Sequence, residues 1–295
     1  MQEFQFLTPK SRHEACIMLN ETRGSHCMVA GGTDAVLMMN SGKVSAEYVI
    51  NLKGLKELDY ILVDEKQVHI GALTTFSVIA GNTYMEKNVK VLYEACRHIG
   101  SPQIRNAATI GGNLVNGSVA GDGIAACLTL DAAVVLESIR GIRRLPLRQF
   151  YDEEKGRCVI ADDELLTEVC FKKPGAGTVS GFFKLGKRNS LAIVDIGAGV
   201  LAEADDENNC THIRLIGGAL ARYPLQFTAA EQYMLGRKLT RENLMGCMEY
   251  LHDAVYESIK SRPDEVYYKK ESVKGAFEMM FEEIIRQNIS KGFAA

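Results

Sequence analysis

Two pairs of adjacent glycines, Gly31-Gly32 and Gly111-Gly112, limit what this chain can fold into more than any other feature of its sequence. A glycine pair has no Cβ to shield its backbone, so consecutive N–H groups can face a close ligand. The first pair lies between the apolar run 27–30, which reads as a short strand, and the start of a helical turn. Such a turn suits a phosphate oxygen, with the Thr33 hydroxyl as a further donor and the positive end of the following helix adding attraction. An ordinary tight turn is the other reading of GGTD. The spacing is not GxGxxG, so a Rossmann-type nicotinamide site is not supported. The second pair, within Thr109-Ile110-Gly111-Gly112-Asn113, repeats the pattern with a hydroxyl and an amide beside it. Two such loops in one domain point to two phosphates, or to one pyrophosphate gripped from both sides.

The segments around these loops read as mixed α/β. Ser11 with Glu14 has capping-box spacing ahead of a helix over 11–22. Residues 49–50 suggest a strand, and 60–63 and 68–72 a hairpin about Asp64-Glu65-Lys66. Helical spacing spans 85–98, and the polar stretch 100–122 is too polar for core and too compact for a linker. Strands follow at 133–138, 143–147 and 164–171. Lys173-Pro174-Gly175-Ala176-Gly177 interrupts both helix and strand, marking a boundary. Beyond it, 179–185, 192–203 and 210–220 predict an antiparallel meander, followed by helices over 241–260 and 272–287.

Bulk properties narrow the partners. With 295 residues, 46% of them hydrophobic and 24% charged, the chain can bury a sizeable core, and its length favours two domains. A net charge of −3 offers no basic field for nucleic acid or an anionic membrane. No apolar run approaches the roughly 20 residues of a membrane helix, and no leader pattern is visible, so a cytoplasmic address is expected. The eight cysteines are scattered, without the close spacing an iron–sulfur cluster or zinc site needs, and read as reduced, mostly buried thiols. No metal site is expected in the chain, and any clusters belong to other chains.

The runs VAGGTD (29–34), IGALTT (70–75) and QIRNAATIGGNL (103–114), with Asp122 downstream, resemble the FAD-binding medium subunits of the xanthine dehydrogenase and carbon monoxide dehydrogenase family, the molybdenum hydroxylases. FKLGKR (183–188), Gly217-Gly218-Ala219 ahead of Pro224, and the run 231–239 extend the likeness over nearly the whole chain. Within that family the nicotinate dehydrogenase flavoproteins are nearest, through VAGDG (119–123), VVLESIRG (134–141) and YKKESVKG (268–275).

The resemblance implies an α+β architecture: a two-lobed FAD-binding domain of vanillyl-alcohol-oxidase (PCMH-like) type over 1–173, with lobes of about 1–55 and 56–173. A small antiparallel-sheet-plus-helices domain of CO dehydrogenase flavoprotein type follows over 178–295. It also implies the role of an oxidoreductase subunit in a heteromeric complex. A large partner carries the molybdenum cofactor and oxidises an N-heterocycle of xanthine or nicotinate type. A small partner carries two [2Fe-2S] clusters, and this chain passes their electrons through FAD to NAD(P)⁺ or another acceptor. The chain lacks the cysteine-bearing insertion that holds a further [4Fe-4S] cluster in some members, and no histidine or cysteine matches a covalent flavin tether.

Carried over by position, Val29, Ala30, Gly31, Gly32, Thr33 and Asp34 hold the FAD pyrophosphate, and Ala108, Thr109, Gly112 and Asn113 grip it from the other side. Valine at Gly111 or Gly112 is expected to abolish flavin binding by blocking backbone approach. Asp122 accepts hydrogen bonds from ribityl or adenosine hydroxyls, or alternatively caps the turn before Gly123. Lys184 places a cation near flavin N1, or is a solvated strand lysine. Leu165 or Leu166 packs on the ring system, although a strand leucine is ordinarily core. Arg105 and Asn106 shape the second loop or touch the cofactor. No side chain is assigned a catalytic role, because the cofactor supplies the chemistry. Two rival readings remain at this stage: a free-standing flavin oxidase, and a non-enzymatic nucleotide-binding assembly module.

Overall fold

A computed structural model describes residues 3–152, 157–186 and 193–292. Lys187 and Arg188 of the FKLGKR run, and Ala192 at the start of a predicted strand, lie outside the described residues. The packing falls into two compact units. One comprises 1–79, 101–118 and 131–173; the other comprises 80–100, 119–130 and 174–295.

In the first unit Ser11 caps the helix Arg12–Glu21, its hydroxyl accepting from Glu14 N at 3.1 Å. Glu14 accepts from Lys10 N at 2.7 Å, one residue before the N-cap donor of a capping box, so only the Ser11 half of the box forms as expected. Gln5–Leu7, Tyr48–Asn51 and His26–Val29 form a three-stranded parallel sheet with Tyr48–Asn51 in the middle. Ala15, Leu19, Ile50, Leu52, Leu58 and Leu165 build an apolar core there. The predicted hairpin is Ile61–Val63 with Gln67–Gly71, its turn pinned by Asp64 Oδ1 accepting from Lys66 N and Gln67 N. It belongs to a five-stranded antiparallel sheet that continues through Leu165–Lys172, Ala133–Ser138 and Gly141–Pro146.

The polar stretch after Gly100 is helical rather than irregular. Pro102–Ala107 starts at a Ser101 cap and Ile110–Asn116 at a Thr109 cap, and the latter stops at left-handed Gly117. These caps satisfy helix ends that a reading by polarity alone takes for loop.

The second unit holds the meander: Val179–Gly186, Val194–Ala204, Cys210–Gly218 and Leu225–Gln226, all antiparallel. Its core runs from Ile196, Val200 and Leu215 on the strands, through Phe227, to Leu251, Phe277 and Phe281 on the helices. The helix expected over 85–98 is two, Thr83–Asn88 and Lys90–Arg97, broken at Val89 (φ −132°). Val89 is fully buried, and its backbone (ψ 53°) is outside the helical region. The helix expected over 241–260 likewise breaks at Cys247 into Arg241–Gly246 and Met248–Ile259. The last helix is longer than expected, Pro263–Ser290, because Pro263 sits in its first turn where a missing N–H costs nothing. A helix not foreseen, Thr228–Met234, follows the last strand. Among the described residues no helix is long and apolar enough to cross a membrane.

Candidate functional site

Parallel pairing of Met28 with Ile50 and of Val29 with Asn51, continued by Leu52 N donating to Val29 O at 2.8 Å, delivers the chain to Ala30 and Gly31. A Cβ on Gly31 would stand 2.0 Å from Ala107 O and 3.0 Å from Ala108 Cα. The first glycine loop therefore lies against the approach to the second, and only glycine permits that contact. Gly32 is left-handed (φ +73°), which turns the chain into Thr33, Asp34 and the helix Ala35–Asn40. Asp34 makes no side-chain cap there. Gly31 to Asp34 are all at least partly exposed, and among the described residues none accepts from their four backbone N–H groups. Four consecutive donors without an acceptor among the described residues suit an anionic, oxygen-rich ligand.

The second loop is built differently. Ile110 N donates to Thr74 O (3.0 Å), Gly111 N to Ala72 O (2.9 Å), Gly112 N to Thr109 Oγ1 (3.1 Å) and Asn113 N to Thr109 O (3.0 Å). Phe76 N donates to Ala108 O at 3.1 Å, and Thr75 bridges Thr109, so the IGALTT run is the shelf that carries this loop. Its backbone donors are thus spent within the protein. What remains for a ligand are side-chain groups: the Thr109 hydroxyl hydrogen, and the Asn113 amide, whose buried Oδ1 has no partner among the described residues. Gly111 is required for another reason than ligand approach, since its Cβ would lie 2.7 Å from both Cβ and O of Ala72. At Gly112 a Cβ would come within 2.9 Å of Thr109 Oγ1 and disturb the cap. Asn106 accepts from Ser77 Oγ, and Arg105 is also partnered.

Leu165 and Leu166 open the strand Leu165–Lys172 and are buried, 2% and 4% exposed. Leu165 joins the core on which Ala30 also packs. The approach to these leucines is clamped in a way the sequence reading missed. Asp163 accepts from Arg140 Nε and Nη2, both at 2.8 Å, and from Arg23; Glu164 accepts from Arg143 Nε (2.6 Å) and Nη2 (2.7 Å) and from Ala161 N (2.8 Å). Burial pushes both carboxyls up, but the guanidinium groups outweigh it and hold them below their ordinary values. The signal was present as Asp-Asp-Glu ahead of an apolar strand, with Arg140 and Arg143 on the facing hairpin.

Asp122 and Lys184 occur together in the second unit. Lys184 Nζ stands 2.6 Å from Asp122 Oδ2 and also donates to His98 O at 3.1 Å. Their side chains are 3% and 11% exposed. Lys184 is therefore a paired, mostly buried cation and not a solvated one. Burial raises the Asp122 carboxyl above its ordinary value in spite of the ammonium beside it. Its Oδ1 has no partner among the described residues, a costly state that calls for a donor from outside the chain. Among the described residues no cluster of three or more metal-ligating side chains occurs.

Within the first unit the residues present fit a bound dinucleotide in two respects: a run of backbone donors without acceptors among the described residues, for a diphosphate, and the orphan Asn113 side-chain oxygen, for a hydroxyl or amine donor. Comparison with known proteins agrees. Residues 2–171 match the family described as the FAD binding domain in molybdopterin dehydrogenase, and residues 181–284 match the CO dehydrogenase flavoprotein C-terminal domain. The chain is 46% identical to the nicotinate dehydrogenase FAD-subunit of Eubacterium barkeri, over 97% of this chain and 98% of that one. It is 29% identical to the xanthine dehydrogenase FAD-binding subunit of Escherichia coli O157:H7, over 80% of this chain and 79% of the other. A chain of the carbon monoxide dehydrogenase from Hydrogenophaga pseudoflava has the same fold, with a TM-score of 0.86 at 24% identity over 97% of this chain and 98% of that one. A run of free amides beside a carbonyl-backed glycine helix, in a chain matched end to end by such relatives, makes this protein a member of the FAD-binding flavoprotein subunits of the molybdenum hydroxylase family, and so an oxidoreductase component.

Proposed function

We propose that this chain takes electrons from an iron–sulfur partner onto FAD and delivers them to NAD(P)⁺ or a comparable acceptor, within a complex whose molybdenum-bearing large subunit oxidises an N-heterocycle of nicotinate type. The nicotinate assignment is supported by the 46% identity to a nicotinate dehydrogenase FAD-subunit along nearly the full length of both chains. Electron transfer through the chain is supported by the subunit names of the relatives. Domain limits of 1–173 and 178–295 remain our reading of the chain. Eight unpaired cysteines, six of them buried, favour a reducing, cytoplasmic setting.

The observation that carries the FAD assignment is the set of four free amides from Gly31 to Asp34. We assign the pyrophosphate to these donors, flanked by Val29 and Ala30, with Ala108 shaping the approach and Thr109 donating its hydroxyl. In this reading Gly112 contributes by forming the Thr109 cap, and Asn113 contributes its amide. Asp122 is assigned to a cofactor hydroxyl and Lys184 to the N1 edge of the flavin. Because Lys184 is already paired with Asp122, its pull on flavin potential is weaker than that of an isolated ammonium. Leu165 and Leu166 are assigned to packing near the ring system. Bound FAD supplies the redox chemistry; the chain binds it, orients it and limits water around it.

Purification of the complex with its partners intact, followed by anaerobic addition of nicotinate and of xanthine, tests the proposal. Bleaching of the flavin by nicotinate, requiring the partner chains, is expected. Bleaching by substrate in the isolated chain would make it a free-standing oxidase, and a colourless complex would make it an assembly module.

A further inference from the structure

The YKKESVKG run contains three lysines in similar sequence surroundings, yet the fold uses them differently. Lys270 lies over the Tyr267 ring (4.9 Å to its centroid) and Lys274 reaches the exposed Glu249 (2.8 Å). Lys269 turns inward: its side chain is 12% exposed, and Nζ donates to Ala219 O at 2.6 Å while pairing with Glu265 at 3.0 Å. Its acceptor is unusual. Ala219 is one of three described non-glycine residues with left-handed backbone (φ +61°), a conformation that a Cβ disfavours and that persists only where neighbours enforce it.

What this turn holds is the other half of the observation. Ala219 N donates to Val119 O at 3.2 Å, so the turn grips the start of the VAGDG run. Three residues on is Asp122, at the first position of the helix Asp122–Thr129. Just before the turn, a Cβ on Gly218 would meet Ala125 Cβ of that helix at 3.3 Å, so strand end and helix are in close register. Asp122 keeps one buried oxygen on Lys184, and the other has no partner among the described residues. The Ala219 turn touches the segment leading to that acceptor.

We infer that Lys269 is a positioning residue: it stabilises the left-handed Ala219 turn, and through it fixes the 119–122 segment so that Asp122 and Lys184 meet the flavin cofactor in the right geometry. The inference rests on the reading of Asp122 and Lys184 as cofactor contacts. Lys269 itself touches no reacting group.

The test is titration of the flavin-free full chain with FAD, followed by flavin fluorescence and absorption, together with thermal unfolding without FAD. Lys269→Met is expected to weaken FAD binding about tenfold, the size of one lost charged hydrogen bond, and to alter the flavin band at saturation, in addition to a modest fall of the FAD-free unfolding midpoint from the lost tie. Lys269→Arg, which keeps a cationic donor, is expected to bind more tightly than Lys269→Met. Adding Ala219→Gly to Lys269→Met is expected to restore affinity, because glycine adopts the left-handed turn unaided. A Lys269→Met chain that unfolds earlier but binds FAD with unchanged affinity and spectrum would make Lys269 a plain structural tie and overturn the inference. So would failure of Ala219→Gly to rescue. Asp122→Ala is measured in parallel. If it leaves FAD binding and spectrum unchanged, the cofactor reading of Asp122 falls and the inference with it; if it weakens binding and Lys269→Met does not, only the inference falls. Should Lys269→Met not fold, the comparison of Lys269→Arg with wild type decides, equal affinity and spectrum supporting the inference and a tenfold loss refuting it.

Discussion

Gly31→Ala adds a single methyl group where the structure has no room for one. The methyl carbon would sit 2.0 Å from Ala107 O, whereas Cβ contacts under 3.0 Å essentially do not occur, so the two backbones must part by at least 1.0 Å. Neither side can yield by rotating a side chain, because the obstacle is a carbonyl in the main chain. Overpacking of this kind costs about 1–3 kcal/mol of stability. The effect on FAD is larger. A shift of about 1 Å takes an N–H···O distance from about 2.9 Å to about 3.9 Å, beyond hydrogen-bonding range. Losing one or two bonds to a charged acceptor, at about 1.5–3 kcal/mol each, removes about 3 kcal/mol of binding energy, which is on the order of 100-fold in Kd. Gly24→Ala and Gly42→Ala are the controls: both residues are left-handed (φ +74° and +72°) and neither would meet an atom within 4 Å. They are expected to cost about 1 kcal/mol of stability from backbone strain and to leave FAD affinity unchanged. The assay is FAD titration of the flavin-free chain by fluorescence quenching, with urea unfolding alongside. Gly31→Ala binding FAD within threefold of wild type would refute the reasoning.

Other expectations follow from the ionisable groups. His69 presents Nδ1 to Glu168 (2.9 Å) and Nε2 to Asp64 (3.2 Å), and donates to both when protonated; burial lowers its pKa, but the two carboxylates prevail and raise it above the ordinary 6.5. Its stabilising effect is therefore full below pH 6.5 and lost as pH rises through the raised value, so the unfolding midpoint of wild type should fall across that window and that of His69→Gln should not. Asp163→Asn removes the charge and one of the two acceptor oxygens that Arg23 and Arg140 use, and should cost about 2 kcal/mol, less than the ~3–5 of a fully buried pair because the guanidinium groups are half exposed. The depressed Asp163 and Glu164 carboxyls stabilise the fold at neutral pH, an effect lost as pH falls below about 4 through their folded values; urea titrations from pH 7 to pH 3 read both. Lys184→Met strands the buried Asp122 carboxylate and should cost about 3 kcal/mol, while Lys184→Met with Asp122→Asn should be markedly less destabilised, as measured by urea denaturation.

Much of this architecture was legible because its signals are local. The Ser11 cap, the Asp64 turn and the short turns of the C-terminal meander depend on neighbours a few residues away. The breaks at Val89 and Cys247 were not legible, because each is set by tertiary burial against a periodic pattern that continues through it. The glycine pairs show the same limit at the site. Their sequences are alike, yet the acceptor that consumes the Gly111 amide, Ala72 O, lies more than thirty residues upstream, and only the Gly112 amide is taken locally, by Thr109 Oγ1. The steric need for Gly31 is likewise set by Ala107, which is distant in sequence. Asp122 and Lys184 could each be singled out from the family pattern, but that they bind each other emerges only from the fold.

The claim that the first glycine loop, and not the second, supplies backbone donors to the cofactor can be read from amide signals. Chain labelled with [15N]glycine, with Gly31, Gly32, Gly111 and Gly112 assigned by single substitutions, would be titrated with FAD and followed by 1H–15N correlation spectra. Large downfield shifts at Gly31 and Gly32, with small ones at Gly111 and Gly112, are predicted. Shifts confined to Gly111 and Gly112, with Gly31 and Gly32 unmoved at saturating FAD, would contradict it.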